Sequence, residues 1–149
     1  MMPKGKPIRV EYQTLLVIWV ALLMSQVFFL ILIWFIKPGL ISLDTSFPFL
    51  GDKPLIILAF GGSALVFFFL SQVLSRQHIQ RAIQDQDAGC VQTGLIIGCA
   101  LAEISSILGL ILALAFDYPY FYLWIALGIF GVLLNFPRKG SLDAATYKL

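Results

Sequence analysis

The stretch AGCVQTGLIIGCALAEISSILGLILALAF, residues 88–116, carries a single charge, Glu103, in 29 residues. Coiled as a helix at about 1.5 Å per residue, it exceeds the roughly 30 Å of hydrocarbon in a bilayer. A soluble helix of this length keeps a charged face toward water, and this one has none, so the stretch predicts a membrane span.

Working outward, three more apolar runs accompany it. Residues 14–36 are uncharged, with Lys4, Lys6 and Arg9 before them and Lys37 and Pro38 after them. That run is longer than the apolar core of a signal peptide and ends in WFIKPG rather than in a small-residue cleavage site, which predicts a retained helix. Residues 55–74 begin behind Pro54, a residue suited to the first turn of a helix. Residues 118–136 again lack any charge. The expectation is an all-α integral membrane protein of one domain, residues 1–149, with four transmembrane helices at about 14–36, 55–74, 93–116 and 119–136. Composition points the same way. The chain is 60% hydrophobic and 12% charged, against about half and about a quarter in soluble domains.

Basic residues set the expected orientation, because short loops rich in Lys and Arg stay in the cytoplasm. Lys4, Lys6, Arg9, Arg76, Arg81, Arg138, Lys139 and Lys148 fall on one side, against Lys37 and Lys53 on the other. Both termini are therefore expected inside, as four spans require. Outside lie a Pro- and Gly-punctuated loop at 38–54 and a tight DYPY turn at 117–120. Trp34, Tyr118, Tyr120, Tyr122 and Trp124 gather near that level as an interfacial belt. Inside, residues 71–87 lack Pro and Gly, so the second span should continue as a helix beyond the membrane.

Several functions are excluded early. A net charge of +2 is too small for a nucleic-acid surface. Cys90 and Cys99 are nine apart and offer neither a CxxC redox pair nor a zinc set, and the single His78 cannot form a bis-histidine haem anchor. His78 reads as a solvated residue, and Asp85 with Asp87 as a helix end. No metal, cofactor or nucleophile with its base is recognised, so the expectation is a protein that is not an enzyme.

What remains is a polar layer at mid-membrane. Ser25 and Gln26 sit at the centre of the first span, Ser63 near that of the second and Glu103 near that of the third. Hydrocarbon disfavours both unpaired polar groups and charge, so Glu103 is expected to be protonated and bonded to Gln26; Ser106, on the same helix face, either donates to the carboxyl as part of the site or bonds back to a carbonyl one turn earlier. A mid-membrane carboxyl points to proton or cation binding; the alternative is polar glue that fixes helix register. Gly94, Gly98, Ala102, Ser105 and Gly109 form a small-residue stripe for close helix packing.

From Arg81 to Phe116, the polar segment RAIQDQD followed by ALAEISSILGLILALAF resembles the hairpin of the ATP synthase c subunit. The resemblance implies a helix running outward from the cytoplasm, with Glu103 as the carboxylate that carries a proton or sodium ion. Residues 55–70, LIILAFGGSALVFFFL, depart from that family's repeated glycines. The overall plan is also similar to uncharacterised four-span bacterial membrane proteins with an AL-x-E segment in span three and a basic Pro motif, here FPRK at 136–139. These resemblances imply a bacterial-type plasma membrane. The partners expected are the lipid bilayer and either further copies of the chain or a larger membrane complex. In the accessory-subunit alternative, aromatic faces such as Phe67, Phe68 and Phe69 would contact the larger partner.

The orientation is checked by cysteine labelling of intact cells. A cysteine introduced near Asp44 should react with an impermeant probe and one near Gln84 should not; the reverse pattern overturns the assignment.

Overall fold

A computed structural model describes residues 12–41 and 46–146. Lys4, Lys6, Arg9, Asp44 and Lys148, on which the orientation reading draws, lie outside the described residues. The described chain is helical and contains no strand: α1 (Tyr12–Ile36), a 3-10 turn (Pro38–Ile41), α2 (Pro54–Asp85), α3 (Ala88–Phe116), α4 (Phe121–Leu134) and α5 (Lys139–Thr146). α1, α2 and α3 are each long and apolar enough to cross a membrane.

The fourth run is shorter than its sequence suggests. α4 holds 14 residues, about 21 Å at 1.5 Å per residue, short of the roughly 30 Å hydrocarbon layer. It reaches crossing length only when taken together with α5, from which it is bent by 43°. Proline explains both limits. Pro119 in the DYPY turn delays the start, and Pro137, which disfavours helical geometry in the residue before it, separates Leu134 from Lys139.

α2 opens with Pro54 in its first turn and runs unbroken for 32 residues, so its last turns extend well past its apolar part. It ends at Gln86, which adopts a left-handed conformation with φ 54°, while its side-chain amide donates to Ile83 O and Ala144 O at 2.9 and 3.1 Å. Asp87 then caps α3, its carboxylate accepting from Gly89 N at 2.9 Å. A two-residue connection of this kind forces α2 and α3 into an antiparallel hairpin.

α3 is the hub, packed against α1, α2 and α4. Its stripe of small residues is buried and explains the close approach. A Cβ built on Gly94 would stand 2.8 Å from His78 Cβ on α2, and one on Gly109 2.9 Å from Trp124 Cβ on α4. Ala102 meets Gly131 of α4, where an added Cβ would lie 2.7 Å from the alanine methyl. Ser105 donates to Ala64 O of α2 at 2.9 Å. Lipid gives apolar helices no hydrophobic reason to associate, so van der Waals contact at these narrow crossings and the hydrogen bonds they permit hold the bundle.

α1 is different. Only Leu15, Gln26 and Ile33 are buried, while Val17, Met24, Phe28, Trp34 and Phe35 are exposed. Polar anchors hold it at several levels. Trp19 donates to Val132 O at 2.8 Å, and Lys37 donates to Leu114 O at 2.7 Å and pairs with Asp117, the left-handed residue that ends α3.

At that same end, the Tyr118 and Tyr120 hydroxyls donate to Phe49 O and Phe47 O at 2.9 and 2.7 Å. Burial, with Tyr120 and Tyr122 beside it, pushes the Tyr118 phenol up to about 12, so it stays a donor at physiological pH. These two tyrosines therefore latch the connection between α1 and α2.

Gly98 should tolerate no side chain, because a Cβ there would sit 2.6 Å from Asn135 Oδ1 and 2.9 Å from Ser75 Cβ. Gly62, with nothing within 4 Å, is the internal control. Gly98→Leu should cost about 1–3 kcal/mol by analogy with overpacked cores, and Gly62→Leu close to nothing, as read by thermal unfolding in detergent. Equal melting temperatures would mean that the α3 stripe is not a packing face.

Candidate functional site

The polar layer forms where α1, α3 and α4 meet. Glu103 and Ser106 are three residues apart on α3 and share a face, while Ser25 and Gln26 are consecutive on α1. Each pairs with one partner. Ser25 Oγ lies in hydrogen-bonding contact with Glu103 Oε1, and Ser106 Oγ donates to Gln26 Oε1. Ser25 Oγ also stands 2.7 Å from Leu22 O, and Ser106 Oγ 3.3 Å from Ile125 O of α4.

The expected Gln26–Glu103 bond is therefore replaced by two crossed pairs. The cause is helix geometry: consecutive residues diverge by about 100°, so Ser25 and Gln26 cannot address one carboxyl, whereas Glu103 and Ser106 can each take one of them. Burial grades across the pairs. Gln26 and Ser106 are fully enclosed, while Ser25 and Glu103 are half-buried at the edge of the seam. The Gln26 Nε2 amide is buried without a hydrogen-bond partner among the described residues.

Gly128 makes the arrangement sterically feasible. A Cβ there would lie 2.0 Å from Ser106 Oγ and 3.0 Å from Gln26 Oε1, so only a glycine lets α4 close over the inner pair.

Ser63 does not join this layer. It is exposed and donates to Ala59 O of its own helix at 2.7 Å, the ordinary fate of a serine in an apolar helix. The buried face of α2 runs through Ile57, Gly61, Ala64, Ser71, Ser75 and Ala82, and Ser63 is one residue out of step with it. Ser71, in step, donates to Gly98 O at 2.6 Å. The Asn135 amide, at the end of α4, donates to Ser71 Oγ and to Gly131 O at 3.1 and 2.8 Å. This second polar node joins α2, α3 and α4. Seven-residue spacing from Ala64 would have pointed to Ser71, and an amide closing an uncharged run just before FPRK would have pointed to Asn135.

His78 is half-buried rather than solvated, its Nδ1 is 2.8 Å from Leu74 O, and its Cβ faces Gly94. Cys99 is buried and Cys90 lies near the Asp87 cap. Among the described residues, no group of three or more His, Cys, Asp or Glu could hold a metal ion, and the one ion pair is Lys37–Asp117, at the end of the bundle. The mid-span chemistry is thus one carboxyl, two hydroxyls and one primary amide, a set suited to holding a proton through hydrogen bonds.

No family model matches the chain, and neither a curated protein nor a solved structure matches it.

Gly128→Ala should expel Ser106 from its bond to Gln26 and loosen α1, at a cost of about 1–3 kcal/mol. Ser106→Ala, which removes the bond without a clash, should cost about 0.5–1.5 kcal/mol. Thermal unfolding in detergent measures both. A Gly128→Ala protein as stable as the parent would show that α4 does not close over this pair.

Proposed function

We propose that the chain is a small, non-enzymatic four-span membrane protein in which Glu103 is an exchangeable proton or cation site, as in the c-subunit hairpin it resembles. On this reading it resides in a bacterial-type plasma membrane with both termini cytoplasmic, and works within an oligomer or a larger membrane complex. α4, with α5 bent from it, serves as the fourth span.

The observation that carries the proposal is a proton count at Ser25. One hydroxyl hydrogen stands between two acceptors, Leu22 O and Glu103 Oε1. A carboxylate can only accept, whereas a carboxylic acid also donates. With Glu103 protonated, its O–H donates to Ser25 Oγ and Ser25 donates to Leu22 O, so both contacts are made and no charge stands in hydrocarbon. With Glu103 ionised, Ser25 must turn its hydrogen to the carboxylate and give up its bond to Leu22 O. The two protonation states thus demand different hydrogen bonds from α1, which buries three of its 25 residues. Protonation of Glu103 and the seating of α1 are coupled in this scheme.

A second reading, in which the layer only locks helix register in an accessory subunit, draws on one fact: both crossed pairs join α1 to α3.

Glu103→Gln separates the two. The proton-site reading expects the wild type in proteoliposomes to react with a hydrophobic carbodiimide, with labelling that falls as pH rises because the reagent attacks the protonated acid. The Gln variant should fold with the same melting temperature, escape labelling and lose any ion-dependent response of the protein or its complex. Wild-type protein that resists the reagent, or labels more strongly at high pH, overturns a neutral buried acid. A folded Gln variant with an unchanged response leaves the packing role as the better account.

A further inference from the structure

The basic end of the bundle holds a cleft of about 390 Å³ that plays no part in the Glu103 layer. It opens between the extension of α2 and the segment joining α4 to α5. Arg76 of α2 and Arg138 of the connecting segment both line it, although 62 positions separate them in sequence. Both guanidinium groups are exposed, and among the described residues neither takes part in an ion pair. Among the described residues, no acidic side chain lines the cleft. Gln80 and Ser141 add neutral polar groups, and Leu95 and Phe136 supply apolar wall.

The level of the cleft follows from the sequence. Arg76 is the first charge after the uncharged run 54–75, and Arg138 the first after 118–137. Each therefore stands where its apolar segment gives way to the headgroup region. Two arginines without an ion-pair partner among the described residues, above an apolar wall, match a ligand that is anionic at one end and hydrocarbon at the other. A guanidinium fork meets phosphate oxygens in two parallel hydrogen bonds, which a lysine does not offer. Basic clefts between membrane helices at this level are suited to phospholipid headgroups.

We propose that this cleft is a binding site for the phosphate of an anionic phospholipid, with Arg76 and Arg138 clasping the headgroup and the acyl chains lying along the Leu95 and Phe136 wall. A soluble phosphate ester shares the anionic chemistry but leaves that wall unused. The site is independent of any proton exchange at Glu103.

The full chain in phosphatidylcholine nanodiscs supplies the test, with phosphatidylglycerol titrated in and retained lipid counted by native mass spectrometry. Phosphatidylglycerol should be retained in preference to phosphatidylcholine. Replacing both Arg76 and Arg138 by Gln should weaken retention about 25-fold, since each interfacial arginine contributes about fivefold, without changing the melting temperature in phosphatidylcholine alone. Arg81→Gln, on the same helix but outside the cleft, should change retention little. Arg138→Gln alone, in a segment outside the helices, repeats the test at about fivefold if the double variant does not fold. An Arg81→Gln loss equal to that of the cleft variants would reduce the effect to diffuse surface charge and overturn the proposal. Equal retention of the two lipids, or displacement of phosphatidylglycerol by millimolar inorganic phosphate, would overturn it as well.

Discussion

Hydrocarbon offers a polar group no water and offers an apolar helix no reason to prefer another helix over lipid, and α3 answers both constraints at once. Its small residues bring backbones within reach of one another, and that nearness is what lets short side chains pair across helices. Ser71 reaches Gly98 O and Ser105 reaches Ala64 O because no bulk stands between α2 and α3. Gly128 and Gly131 do the same from α4, one admitting the Ser106–Gln26 pair and the other meeting Ala102. Were any of these glycines larger, the loss would extend beyond contact area, since the hydrogen bonds that depend on the spacing would be broken inside a medium that cannot replace them.

The same constraint divides the bundle into two parts. α2, α3 and α4 interlock along glycine and serine faces. α1 buries little and is held by anchors at distinct depths: Trp19 on Val132 O, the two crossed pairs at mid-span, and Lys37 on Leu114 O with Asp117. Removing one anchor leaves α1 with a different balance of tethers but leaves the three-helix interlock intact. Two of these tethers involve a carboxyl, Asp117 at the end of the bundle and Glu103 at mid-span, and of the two the Glu103 carboxyl faces a hydroxyl rather than a cation. On the proposed reading, gain or loss of the Glu103 proton would change the hydrogen bonds that hold α1 at mid-span.

Apolar length, the helical extension of α2 and the small-residue pattern of α3 were legible because each is carried by a run of residues, where single exceptions average out. The length of α4 was not legible in the same way. Its uncharged run covers 118–136, but prolines at 119 and 137 shorten the helix within it, and hydropathy does not register backbone geometry. Pairing at the polar layer was only half legible. Depth, counted from span ends, correctly grouped Ser25, Gln26 and Glu103, yet depth says nothing of rotation about a helix axis. Ser63 shows the consequence, lying at the counted depth but facing outward, while Ser71 and Asn135 enter the interior away from the counted layer.

Rotation also decides how a proton would reach Glu103. The inner pair, Gln26 with Ser106, is sealed beneath Gly128, so the fully buried side of the layer offers no entrance. The half-buried members, Ser25 and Glu103, lie at the outer edge of the α1–α3 seam. Met24 and Phe28 on α1 and Ile107 on α3 are all exposed close to these residues in sequence, so that edge is apolar. Acyl chains against such an edge carry no proton, and an ionised Glu103 facing them would have no solvation. On the proposed reading, exchange therefore requires the edge to be covered by something polar in places, which lipid tails are not. A second copy of the chain or a partner subunit bearing a mid-membrane polar group meets that requirement. On the proposed reading, the half-buried position of Glu103 at this apolar edge stands beside the resemblance to ring-forming proteins as a reason to expect an oligomer or complex.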